Sequence, residues 1–166
     1  MRAVVPGRRA RPLVSMRATV EPAGQKDLPG LLELMSQFYA ESNYELNRSW
    51  ADESFRRLLR NEALGAVWIA REGTQALGYV VLTLRHSMEF GRLVDVIDDL
   101  FVGGNFRNKG VGSALLTVLL ERSRSLELGA VHVEVGSTNH AAKALYEAFG
   151  LKPVGDGRQV LAIRLI

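Results

Sequence analysis

The eight residues from Arg107 to Ala114, Arg-Asn-Lys-Gly-Val-Gly-Ser-Ala, follow an acidic, β-branched run that ends at Val102 and open a leucine-rich segment. Glycines at such a strand-to-helix turn let the backbone approach a ligand, and the unpaired N–H groups and positive end of the helix attract phosphate oxygens. A pyrophosphate suits this turn. Two commoner phosphate loops do not fit, because Lys109 precedes Gly110 where a P-loop needs Gly-Lys-Ser/Thr, and Leu115 stands where a dinucleotide fingerprint needs its third glycine. On spacing alone, the same glycines also suit a purely structural tight turn. Titratable groups flank the turn on both sides. Asp98 and Asp99 sit in the strand ahead of the turn, and Tyr146 lies in a helical segment downstream. Strict alternation puts Asp95, Ile97, Asp99 and Phe101 on one strand face and Asp98, Leu100 and Val102 on the other, so only one of the adjacent aspartates is expected to face a given pocket.

Other chemistries drop out on composition. The chain of 166 residues contains no cysteine, and its three histidines, His86, His132 and His140, are too scattered to suggest a metal site. No metal is expected. The longest apolar runs, such as Tyr79 to Leu84, are strand-sized and fall short of the ~20 residues that cross a bilayer. The net charge of +3 hints at nucleic acid, yet four arginines and no acid lie in residues 1–15, leaving 17 basic against 18 acidic residues in the rest. The remainder is therefore near neutral. Residues 1–15 read as a disordered basic leader or a misassigned start, with Met16 as the alternative first residue, and residues 16–166 as one domain. Nucleic-acid binding is not expected.

The elements that must hold these groups alternate along the chain. Arg17 to Pro22 reads as a strand. Asp27 offers a helix cap before an apolar face of Leu31, Leu32, Met35, Phe38 and Tyr39, with the helix ending near Glu41. Ser49 and Asp52 mark a second helix, carrying Phe55, Leu58 and Leu59. Ala66 to Glu72 and Ala76 to Arg85 form a hairpin around Gly73, and Arg92 to Val102 is a third extended run. A helix from about Gly110, a strand Val131 to Val135, a helix Asn139 to Gly150 and a last strand Val160 to Ile166 complete the plan, with at least one parallel crossover. The expected class is mixed α/β.

The order Arg-x-x-Gly-x-Gly-Ser-Ala, helix, strand, then Asn139-x-x-Ala142-x-x-Leu145-Tyr146-x-x-Phe149-Gly150-Leu151 resembles the two signature segments of the GNAT superfamily of acetyl-CoA-dependent N-acyltransferases. The resemblance implies a mixed, mostly antiparallel central sheet flanked by helices, with acetyl-CoA as cosubstrate. It implies that backbone groups of Leu100, Phe101 and Val102 pair with the pantetheine arm, and that Asn108, Lys109, Gly110, Val111, Gly112 and Ser113 hold the pyrophosphate. Arg107 shapes that loop and Asn139 hydrogen-bonds the cofactor. Tyr146 matches the family's general acid, and Asp98 stands where relatives often carry a Glu that deprotonates the amine, here through a water because Asp is shorter. Asn108 replaces a common glycine, tolerable because Asn visits the left-handed region readily.

By the same resemblance the acceptor, a primary amine on a small molecule or protein, enters between Phe38 and Trp50 and near Arg85 to Phe90. Glu41, Glu45 and Glu89, with Tyr39 and Tyr44, are candidates to receive a cation there. A cytoplasmic homodimer is the expected setting. A non-catalytic acyl-CoA-binding module is the competing reading.

Overall fold

The computed structural model describes residues 18–154 and residue 163, so the leader and the expected last strand lie outside the described residues. Strand β1 (Thr19–Pro22) leads to α1 (Leu28–Glu41) and α2 (Arg48–Leu58), then to β2 (Gly65–Glu72), β3 (Gln75–Ser87) and β4 (Arg92–Val102). Helix α3 (Val111–Ser125), strand β5 (Val131–Val133) and helix α4 (His140–Ala148) follow. The described strands form one sheet in the order β1-β2-β3-β4-β5. All neighbours are antiparallel except β4 and β5, which α3 joins as the anticipated parallel crossover.

Alternation along β3 divides the core. Tyr79 and Val81 point to one side of the sheet, where Leu28, Leu31 and Leu34 of α1 and Phe55 of α2 cover them. Val80 and Leu82 point to the other, against Leu115, Leu116 and Leu119 of α3 and Tyr146 of α4. Each fully buried leucine contributes about 1.5–3 kcal/mol, so both helical layers are held by burial.

Two expected helix starts differ in their chemistry. Asp27 precedes α1, but its carboxylate does not cap the helix; it accepts from the Gly24 N–H at 2.8 Å and from Arg71 Nη2 at 2.6 Å. Burial alone would raise the Asp27 pKa, and those two partners outweigh it, leaving the carboxyl below its ordinary value. Helix α2 is capped by Asn47, whose side chain accepts from the Trp50 N–H at 3.2 Å, while Ser49 donates to Asn47 and Asp52 pairs with Arg56.

Candidate active site

Strand β4 carries one residue more than its partner. Val81 stands opposite Asp99 and Leu82 opposite Ile97, so Asp98 is a bulge without a partner on β3. Asp95, ahead of the bulge, faces α3, where Arg122 Nη1 at 3.1 Å and Ser123 Oγ at 2.6 Å hold its fully buried carboxylate. Beyond the bulge the parity is inverted. Phe101 joins the α1–α2 side of the core, and Leu100 and Val102 join the α3 side. The expectation that Asp99 shares a face with Asp95 is therefore wrong, because an inserted residue shifts every later side chain by one step of the pleat.

The bulge also coincides with the point where β4 and β5 part. Parallel pairing runs from Asp95 to Ile97 and stops there, and β5 itself ends at Val133, two residues before its expected limit. Past Ile97 the β5 side of β4 has no strand beside it among the described residues. The Gly103 N–H donates to the Leu77 carbonyl at 2.9 Å, and antiparallel pairs alternate, so Phe101 turns its backbone groups toward β3. Leu100 and Val102 turn theirs outward. Of the three residues expected to present an edge, two do so and Phe101 instead offers its ring to the core.

The turn after β4 has the geometry a bound anion needs. Asn108 and Gly110 both take left-handed backbone, φ 58° and 84°. Asn108 thus takes the left-handed backbone that Asn visits more readily than most residues. Gly110 is the residue before the first turn of α3, and the first intrahelical bond there is from Ala114 N–H to the Gly110 carbonyl, so the amides of Val111, Gly112 and Ser113 precede the helical ladder. Lys109 folds back to the Asn105 carbonyl at 2.8 Å. Arg107 holds the turn to its surroundings. Its Nε donates to the Val102 carbonyl at 2.9 Å, its Nη2 to Glu41 at the end of α1, and its guanidinium lies 5.4 Å from the Phe101 ring centre. Glu41, expected among the groups receiving a cationic acceptor, is committed to Arg107 instead.

On the α1–α2 side of the sheet an open groove of about 820 Å³ is lined by Met35, Tyr39, Glu45, Leu46, Asn47, Arg48, Trp50, Phe55, Leu58, Val81, Asp98 and Asp99, among others. Both aspartates reach it, because the bulge sets Asp98 and Asp99 at its floor rather than on opposite faces. Asp98 is exposed and Asp99 half-buried. The Tyr79 hydroxyl donates to Asp99 Oδ2 at 2.9 Å. Burial pushes the Asp99 carboxyl up to about 6, the adjacent Asp98 charge adds to the rise, and the Tyr79 bond only partly opposes it. Burial and then the Asp99 charge likewise raise the phenols of Tyr79 and Tyr39.

Tyr146 of α4 is buried, and burial followed by the Asp99 charge pushes its phenol up to about 12. The side chain therefore stays protonated at any ordinary pH, and among the described residues its hydroxyl makes no hydrogen bond. Next to it Leu145 packs where a Cβ on Gly112 would point, which sets α4 against the start of α3. Asn139 caps α4, its Oδ1 accepting from the Ala142 N–H at 3.1 Å, which leaves both donors of its amide NH₂ for another partner. The expected second acceptor region does not join this site. Arg85 to Phe90 forms the far tip of the β3–β4 hairpin, where Arg85 meets His132 and Phe90 packs near the same ring, and none of these residues lines the groove. Sequence reading missed Tyr79, concealed in an apolar strand, and did not single out Arg48 within the expected acceptor stretch Phe38 to Trp50.

A profile of the acetyltransferase (GNAT) family matches residues 30–151. An uncharacterized protein of Mycobacterium leprae is 33% identical over 138 residues, covering 82% of this chain and 34% of its own length. An L-methionine sulfoximine/L-methionine sulfone acetyltransferase of Pseudomonas aeruginosa is 28% identical over 158 residues, covering 87% of this chain and 86% of its own. Three of the curated relatives are considerably longer than the matched region, which spans 34% to 60% of their length. Among solved structures, an integron cassette protein from the mobile metagenome of Cole Harbour Salt Marsh superposes with a TM-score of 0.78 at 37% identity, covering 89% of this chain and 90% of that one.

Proposed function

The chain belongs to the acetyltransferase (GNAT) family, and from that premise we propose that it transfers an acetyl group from acetyl-CoA to a primary amine by direct attack. One observation carries the reading. The unpaired β4 edge, the anion-ready turn at its end and the acidic groove at its bulge meet within a few residues of one strand. The outward backbone groups of Leu100 and the Val102 N–H pair with the pantetheine arm, the Val102 carbonyl being held by Arg107, and the amides from Asn108 to Ser113 take the pyrophosphate at the start of α3. Arg107 and Lys109 supply positive charge beside it, and the Asn139 amide NH₂ donates from the far wall.

An alkylamine with a pKa near ~10.4 is almost wholly protonated at neutral pH and cannot attack until it loses a proton. The proton goes to the Asp98–Asp99 pair, with Asp99 the better matched of the two because a base works best with a pKa near the working pH. The freed nitrogen bonds to the thioester carbonyl carbon as the carbon–sulfur bond breaks. Tyr146, protonated at the outset, gives the leaving thiolate its proton, and the second proton that the acylated nitrogen sheds on becoming an amide restores the phenol. The relative named for acetylating methionine sulfoximine supports a small amine as acceptor. No described helix is long and apolar enough to cross a membrane. A cytoplasmic homodimer, with residues 16–166 as the catalytic domain, completes the proposal.

The test is thiol release from acetyl-CoA in the presence of an amine panel, with the acetylated amine identified by mass spectrometry. Release that depends on the amine is expected. Binding of acetyl-CoA without release to any amine would return the chain to the non-catalytic acyl-CoA-binding reading.

A further inference from the structure

The groove holds charges of both signs. Among the described residues three carboxylates, Glu45, Asp98 and Asp99, line it, and Arg48 is the one cationic side chain. Arg48 is in no ion pair among the described residues, although Glu45 is three positions away. Its partner is neutral: Nη1 donates at 3.1 Å to Ser36 Oγ, whose own proton goes to the Leu32 carbonyl at 2.8 Å. A hydroxyl oriented by the α1 backbone thus holds the guanidinium and leaves most of its five N–H donors unused. The acids at the bulge lie on the sheet, and Arg48 lies across the groove at the first turn of α2. The apolar part of the lining includes Leu46, Trp50 and Leu58.

An arginine in the groove without an ion pair gives an acceptor carboxylate something to meet, which a simple alkylamine does not offer. We propose that the acceptor is a free α-amino acid with a large apolar side chain, whose carboxylate is held by Arg48, whose amine faces the Asp98–Asp99 bulge and whose side chain lies on the Leu46–Trp50–Leu58 wall. The inference rests on the acetyl-transfer reading above and adds the acceptor class to it. Arg48 acts by binding alone, because a guanidinium takes a carboxylate through two parallel hydrogen bonds and has no proton to give.

The test compares L-phenylalanine, phenylalaninamide and phenethylamine, with L-leucine and its amide as a second series, on the full chain with acetyl-CoA. The wild type is expected to prefer the acid over the amide and the decarboxylated amine by about tenfold or more in kcat/KM, as one charge-assisted bidentate contact allows. Arg48→Gln should raise KM for the acid about tenfold and bring it level with the amide, and Ser36→Ala should weaken the preference in the same direction. Equal use of acid and amide by the wild type, or equal losses on all three acceptors in Arg48→Gln, would overturn the assignment and leave acetyl transfer standing. If no amine of any kind is acetylated although acetyl-CoA binds, the underlying reading falls with it.

Discussion

Asp99 is where burial and reactivity oppose each other, and both sides can be measured. As the proton acceptor it must be ionised, so kcat/KM on a fixed amine should fall as pH drops through about 6. Asp99→Asn should lose that limb and slow turnover by roughly 10²–10⁴-fold, whereas Asp98→Asn, removing an exposed neighbour, should do less and shift the limb downward. A pH–rate profile in which Asp98→Asn is the more damaged variant would return the role to the bulge residue. The same elevation lowers stability. The folded carboxyl titrates near 6 against 3.8 ordinarily, so between those values the native state binds more protons than the unfolded chain. Stability therefore falls as pH rises through that window, and the loss stands in full above it. Asp99→Asn should be more stable than wild type at pH 8, by about 1–3 kcal/mol, and no more stable at pH 4; melts at the two pH values check this. Tyr146→Phe should keep acetyl-CoA affinity and lose roughly 10²–10⁴-fold in turnover. Unchanged turnover with chemistry limiting would make Tyr146 a packing residue.

At the scale of elements, one inserted residue in β4 organises the site. Deleting Asp98 leaves every other residue on its present face, because Ile97 and Asp99 then alternate without a break; the two halves of the core keep their partners. The bend that accompanies a bulge disappears, and β4 should continue beside β5 past Ile97. The deletion is therefore expected to fold and melt cooperatively yet bind acetyl-CoA at least tenfold more weakly, measured by calorimetry. A deletion variant with wild-type affinity would mean that the free edge does not depend on the bulge. Periodicity made the helices legible: α1 ends at Glu41 as its apolar spacing indicates, and α3 starts one residue after Gly110. The family resemblance made the turn legible, since it set Asn108 in a glycine's place and Asn108 takes left-handed backbone. The bulge was not readable, because an alternating pattern of Asp95, Ile97, Asp99 and Phe101 looks continuous whether or not Asp98 is paired. Long-range partners were equally hidden: Asp27 looked like a helix cap and found Arg71, and Glu41 looked like a free acid and found Arg107. Local sequence ranks such side chains by their neighbours in the chain, whereas the fold decides by what lies across the sheet.

At the scale of the whole molecule, the acetyl-CoA proposed above would link layers. Its proposed contacts run from the β4 edge to the start of α3 and to α4, whose mutual packing passes through Gly112: a Cβ there would lie 3.1 Å from Leu145 Cδ2 and 3.8 Å from Val102 Cγ2. A ligand bound only to the folded state stabilises it by ~2.7 kcal/mol at a hundred times its Kd, which for a domain of this size raises Tm by about 5–10 °C. Two substitutions at Gly112 separate packing from charge. Gly112→Ala gains helix propensity of up to ~1 kcal/mol and crowds only the tip of a flexible leucine, so its Tm should stay within a few degrees of wild type and its response to acetyl-CoA should persist. Gly112→Glu sets a carboxylate among the amides proposed for the pyrophosphate, and repulsion should erase the response even where the protein remains folded. Differential scanning fluorimetry with and without millimolar acetyl-CoA reads both. If Gly112→Glu keeps the shift, the phosphates are bound elsewhere; if Gly112→Ala loses it as completely as Gly112→Glu, the seating of α4 against α3, and not the charge of the turn, governs cofactor binding.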